Sequence, residues 1–126
     1  MKRHEARSKA MQVLFQLDNI ELTLNDAISH VLDGEESDSF FESLVHGATE
    51  KKDEIDEILK QKLENWSLNR LPKIERTVLR LAVYELLYMK DTPKNVVLNE
   101  AIELCKTYGD EKSSKFVNGV LSKFVE

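Results

Sequence analysis

The chain carries one cysteine, Cys105, so it has no internal disulfide. Its three histidines, His4, His30 and His46, fall on separate elements, and with a lone cysteine they cannot build a tetrahedral cage from the usual nitrogen and sulfur ligands. Glycine (four) and proline (two) are scarce and β-branched alternations are few, so no stretch reads as a strand. No apolar run approaches the roughly 20 residues of a membrane span. The basic start, Met1 to His4, leads into more charge and not into the apolar core of a signal peptide. A soluble, unprocessed protein in a reducing cytoplasm is expected, with no membrane partner. The catalytic signatures are missing too: there is no phosphate-cradling glycine loop, nucleophile elbow, paired-histidine metal motif or Cys/His couple. Neither an enzyme nor a cofactor is expected.

What is present is charge, unevenly placed. Net charge is −5 over 126 residues, yet Lys2, Arg3, Arg7 and Lys9 against Glu5 give the first ten residues +3, leaving −8 for the rest. The balance argues against non-specific nucleic-acid binding by the whole surface, and the basic end is either a solvated tail or a local anion site.

The stretch Asn65 to Tyr88 organises the chain. From Val78 onward apolar residues surround the helix instead of striping it, so the spacing predicts a central post buried on all sides. Lys73, Glu75, Arg76 and Arg80 bring charge to its start, which is expected to be its exposed end. Around it the 3.6-residue period predicts an all-α domain. The first helix, about His4 to Asp18, turns Ala6, Ala10, Val13, Leu14 and Leu17 inward, with His4, Ser8, Met11, Gln12 and Phe15 opposite. Thr23 caps a second helix from Leu24 to Leu32, with Gly34 as its stop. A long helix from Asp38 is weakened by Gly47 and the charged run Glu50 to Glu54, so a bend is expected there, and Trp66 closes it. Ser67 to Leu71 form a short turn before Pro72 opens the central helix, which ends near Lys90-Asp91. Thr92-Pro93 repeats that start for a helix to Thr107, whose buried face includes Val97, Ala101, Leu104, Cys105 and Tyr108. A last helix from Glu111 buries Val117, Val120, Leu121 and Phe124.

Two faces stand out. Phe15 lies opposite the buried stripe of a basic helix, and it meets either a second protein layer or a nucleobase. On the last helix Lys112, Lys115, Phe116, Gly119 and Lys123 recur at helical spacing, and cations interleaved with an aromatic are what single-stranded nucleic-acid sites use. The alternative is a solvated lysine face with Phe116 turned into the core. The nucleic-acid reading gains weight only if the fold brings the two faces together.

Four stretches resemble the NusB family of transcription antitermination factors. They are Ala6-Arg7-x-x-Ala10-x-Gln12-x-Leu14-Phe15; Asn65-Trp66-Ser67-Leu68-x-Arg70-Leu71 followed by Glu75-Arg76-x-x-Leu79-Arg80-Leu81-Ala82-x-Tyr84-Glu85-Leu86; Asn99 to Leu104 with Lys106, Tyr108 and Gly109; and Lys115 to Leu121. The resemblance covers nearly the whole chain in order. It implies about seven helices in two small packed bundles, an N-terminal one over about 1–64 and a C-terminal one over about 65–126. It also implies a non-enzymatic role. Proteins of this family pair with NusE, a small-subunit ribosomal protein, and bind the boxA element of nascent RNA. They act with other Nus factors on elongating RNA polymerase, chiefly at ribosomal RNA operons. Carried onto this chain, the resemblance assigns Lys2, Arg3, Arg7, Gln12, Phe15, Lys112, Lys115, Phe116 and Asn118 to RNA, and Glu75, Arg76 and Arg80 to the protein partner. Phosphates would meet Lys2, Arg3, Arg7 and Lys115, bases would stack on Phe15 and Phe116, and Asn118 would bond a base edge. The basic end has fewer arginines than the family pattern, and Lys112 stands where other members carry an acid. Two other readings remain: a NusB-like domain of the kind fused to ribosomal RNA cytosine methyltransferases, and an adaptor that binds protein alone. Whether the free protein is a monomer or a homodimer is open.

Overall fold

The computed structural model describes residues 1–125, and these form seven α-helices and no strand. In chain order they are α1 (Arg3–Asn19), α2 (Leu24–Leu32), α3 (Ser39–Glu50), α4 (Lys52–Lys62), α5 (Lys73–Tyr88), α6 (Lys94–Tyr108) and α7 (Glu111–Ser122), with one 3₁₀ turn at Leu68–Arg70 before α5. Three helices start on side-chain caps. Thr23 accepts from the Asp26 amide, Asp38 from that of Phe41 and Asp110 from that of Ser113, each satisfying an otherwise orphaned donor for roughly 1 kcal/mol. Helix α5 and helix α6 start instead on Pro72 and Pro93, whose carbonyls accept from Arg76 and Val97. Helix α2 stops as the chain turns left-handed at Asp33 and Gly34 (φ 47° and 87°).

Helix α5 is the post around which the others pack: α1, α3, α4, α6 and α7 all lie against it. Val78, Leu79, Leu81, Ala82, Val83 and Leu86 are buried around its circumference, in one continuous core with Ala6, Ala10 and Val13 of α1, Phe41, Leu44 and Val45 of α3, Ile55 and Leu59 of α4, Val97, Ala101 and Cys105 of α6, and Val117 and Leu121 of α7.

Its polarity along the axis departs from the sequence expectation. Of the charged residues at its start only Lys73 is exposed, with Arg76 half-buried and Glu75 and Arg80 buried, while Tyr84, Leu87 and Tyr88 near the other end are half-exposed. The physical reason is that acids on neighbouring helices neutralise the arginines. Asp18 of α1 accepts from Arg76 at 2.6 Å and from Arg80 at 3.1 Å, and Asp56 of α4 accepts from Arg80 at 2.7 Å.

Other boundaries also shift. The long helix from Asp38 breaks at Lys51 into α3 and α4, within the charged run where the bend is expected, and of the two weakening features Gly47 is not the hinge. It sits where Tyr84 crosses α3, leaving no room for a Cβ. Trp66 does not close α4, which ends at Lys62 with Leu63 buried after it. Helix α5 ends at Tyr88, short of Lys90. Met11 is buried in the core even though it lies off the α1 stripe, because that helix is covered on more than one side.

Candidate nucleic-acid interface

The candidate residues separate into those that face outward and those engaged inside. Arg7 belongs to the second group. It is 4% exposed and holds Glu85 of α5 through Nε and Nη2 at 2.9 and 2.6 Å. Burial opposes its charge and the Glu85 carboxylate more than restores it, so the guanidinium stays protonated. Its charge is therefore balanced within the chain, and it is not a free phosphate ligand. Arg76 and Arg80 are likewise tied to Asp18 and Asp56, and neither opens toward solvent as a free cation. Lys123, on the expected basic flank of α7, is turned to the Lys62 carbonyl at 2.9 Å and to Glu64 at 3.6 Å.

Lys2, Lys112, Lys115 and Asn118 are exposed, and among the described residues the three lysines have no acidic partner within 4.0 Å. Arg3 is exposed at the start of α1, its guanidinium 4.5 Å from the centre of the Phe40 ring.

Phe15 and Phe116 are both half-buried. Phe15 lies in a groove lined by Met11, Gln12, Gln16, Ile74 and Tyr108. The Tyr108 hydroxyl accepts from Gln12 Nε2 at 2.7 Å and lies 2.6 Å from Ser8 Oγ, which fixes the Gln12 amide and docks α6 onto α1. Phe116 lines a second cleft with Trp66, Leu71, Pro72, Glu75, Asp110, Lys112 and Ser113, and its ring meets Trp66 edge-on, centroids 5.3 Å apart and planes at 70°. The two hollows are lined by adjacent residues of α5, with no lining residue in common. Ile74 lines the first and its neighbour Glu75 the second, while Tyr108 and Asp110 flank the same junction between α6 and α7. The fold thus sets the aromatic of α1 and the aromatic of α7 on either side of the start of α5.

Glu75 lies in the wall of this surface. Burial, reinforced by Asp110 and partly offset by Lys112, raises its carboxyl above the usual value, so a hydrogen-bond donor or a cation brought to this point would meet an acceptor with no ion-pair partner of its own. Lys2 and Phe15 are separated by about 20 Å along α1, at 1.5 Å per residue, and the neighbouring Arg3 turns toward Phe40 of α3 while Phe15 faces Ile74 and Tyr108. Two residues here escaped the sequence reading. Tyr108 looked like an ordinary core position of α6, and Trp66 like a helix stop. Only the crossing of helices distant in sequence reveals their neighbours.

The fold and this face define an all-helical module whose distinctive groups lie on an open surface. The comparisons with known proteins agree with that class and narrow it. The NusB family model matches residues 4–126. Transcription antitermination protein NusB of Lysinibacillus sphaericus (strain C3-41) is 69% identical over all of this chain and 98% of its own length. That of Bacillus subtilis (strain 168) is 54% identical over 97% of this chain and 93% of its own. The chain belongs to the NusB family. Among solved structures, NusB of T. maritima superposes with a TM-score of 0.89 at 38% identity, covering 98% of this chain and 90% of that one. The structure of antitermination factors NusB and NusE in complex with dsRNA gives 0.86 at 34% identity, covering 98% and 97%. Among the described residues no helix is long and apolar enough to cross a membrane.

Proposed function

We propose that this chain is a cytoplasmic transcription antitermination factor that binds boxA-type single-stranded RNA together with NusE. With other Nus factors it acts on elongating RNA polymerase, chiefly at ribosomal RNA operons, and it carries out no chemistry of its own. The observation that supports the RNA reading is that the Phe15 groove and the Phe116 cleft are lined by adjacent residues, Ile74 and Glu75, at the start of α5. Two half-exposed rings flanking one helix start, with Lys112 and Lys115 on the helix that carries the second, are elements a single-strand site uses. Lys2 and Arg3 at the start of α1 hold phosphates, Phe15 and Phe116 stack on bases, and Gln12 and Asn118 bond base edges or sugars.

NusE docks beside the start of α5, where Glu75 offers an acceptor and Arg76 and Arg80 shape the surface from within. The free protein has few unpaired cations on this face, so its RNA affinity is modest and salt-sensitive, and NusE adds a second RNA-contacting surface. The N-terminal four helices and the C-terminal three form the two bundles of one RNA-binding unit.

The test is the affinity for a boxA-like single strand against a scrambled one, at two salt concentrations, with and without NusE. Selective binding that tightens with NusE is expected. Equal binding to both strands, indifferent to NusE, overturns the function and leaves the family assignment intact.

A further inference from the structure

Trp66 is the only tryptophan in the chain and is 59% exposed, an unusual place for the largest apolar side chain. It is not a loose loop residue. Asn65 before it takes a left-handed conformation (φ 63°), which asparagine tolerates better than most residues, and the 3₁₀ turn Leu68–Arg70 follows, anchored by buried Leu68. The loop so fixed sets the indole edge-on against Phe116. The indole lines two hollows: the Phe116 cleft, which holds Lys112 together with Glu75 and Asp110, and a second one lined also by Asn65, Ser67 and Arg70. Arg70 and Lys112 are exposed and, among the described residues, have no acidic partner within 4.0 Å. A pre-positioned aromatic flanked by the exposed cations Arg70 and Lys112, the latter also close to the Glu75 and Asp110 carboxylates, presents a π-face next to positive charge, as a stacked and phosphate-held single strand requires.

We propose that Trp66 is a further base-stacking platform continuous with Phe116, so that a single-stranded RNA runs from α7 onto the loop between α4 and α5, its phosphates held there by Lys112 and Arg70. This inference rests on the RNA-binding reading above and extends it to a segment outside the residues assigned to RNA. A tryptophan ring stacked on a base is quenched by it, and with one tryptophan the signal reports this position alone.

The experiment titrates the unsubstituted protein with a boxA-type single strand while following tryptophan emission, then measures RNA affinity for Trp66→Ala and Trp66→Phe. Saturable quenching is expected, with roughly a tenfold loss of affinity for Trp66→Ala, the size of one lost base–aromatic stack. Trp66→Phe keeps a ring against Phe116 and should lose less, which separates stacking from a disturbed Phe116. Emission unchanged by bound RNA, or Trp66→Ala binding RNA as tightly as the unsubstituted protein, overturns the proposal while leaving the RNA function in place. A Trp66→Ala defect confined to NusE affinity also overturns it, by making the indole a protein contact. Failure of the unsubstituted protein to bind the strand at all overturns the RNA reading itself.

Discussion

Arg7 and Glu85 form a buried bidentate pair that joins the basic N-terminal helix to the central one, with Nε and Nη2 of the guanidinium on the two carboxylate oxygens. Neither side chain has appreciable contact with solvent. Removing Arg7 strands the Glu85 carboxylate, while removing Glu85 leaves the guanidinium only the longer contact to Glu100 at 3.8 Å, so Arg7→Ala or Glu85→Ala should each cost about 3–5 kcal/mol, the second toward the lower end, while an apolar replacement of both costs far less. Denaturant unfolding of the two single variants and of Arg7→Met/Glu85→Leu checks this. The double variant should keep its RNA affinity within about threefold, because the arginine does not reach the open face. A large loss of RNA binding in the folded double variant would give Arg7 a direct role.

Asp18 links two arginines of α5 to the end of α1. Burial alone would raise its carboxyl, but the hydrogen bond from Arg76 and the Arg80 charge outweigh burial and hold it below the ordinary carboxylate value. The folded chain therefore binds this proton less readily than the unfolded one. The resulting stability is fully present above the unfolded value, about 3.9, and is lost as the pH falls through the lower folded value. Asp18→Asn should lose about 3 kcal/mol at neutral pH and show a shallower fall in stability below pH 4, measured by denaturant titration across pH. An unchanged acid profile would remove Asp18 from the linkage.

Gly47 is where α3 admits Tyr84, since a Cβ there would overlap the phenol ring and its hydroxyl. Gly47→Ala improves helix propensity by up to about 1 kcal/mol, yet the overpacking costs about 1–3 kcal/mol, so the net effect is destabilising. The sign should reverse in a Tyr84→Ala background. Thermal melts of the four proteins in this cycle decide the matter, and a stabilising Gly47→Ala in the otherwise unchanged chain would refute the steric account.

Cys105 sits in the core on the inner face of α6, where burial, with Glu75 and Asp110 nearby, pushes its thiol up to about 12. Almost no thiolate exists at neutral pH, so alkylation of the native protein should be slower than that of a free thiol by orders of magnitude and should proceed readily in denaturant. Rapid native-state labelling would place Cys105 at a surface.

Most of the helical frame is written in local sequence. The caps at Thr23 and Asp38, the left-handed stop at Gly34 and the all-round apolar run from Val78 each act within a few residues, so their consequences are legible without knowing what packs where. The errors share one cause. Arg7, Arg76 and Arg80 look like surface charges because nothing nearby in sequence neutralises them, and their partners Glu85, Asp18 and Asp56 lie 78, 58 and 24 residues away. Gly47 was misjudged for the same reason: its occupant, Tyr84, comes from α5. The Phe15 and Phe116 faces were each visible at helical spacing. That they lie against the adjacent residues Ile74 and Glu75 is not, because it arises from the way α1 and α7 lean on the start of the central post.

That central position of α5 also bears on how the molecule opens. A helix enclosed by five neighbours has no face along which one bundle can peel from the other while leaving it intact. The amide protons of Val78 to Leu86 should then exchange with solvent only when the entire domain opens, at the full free energy of unfolding, while α2, which leans chiefly on α1, exchanges through cheaper local fluctuations. The surface around Phe15 and Phe116 is in this way mounted on the most slowly exchanging part of the protein, and RNA would meet it as a rigid platform.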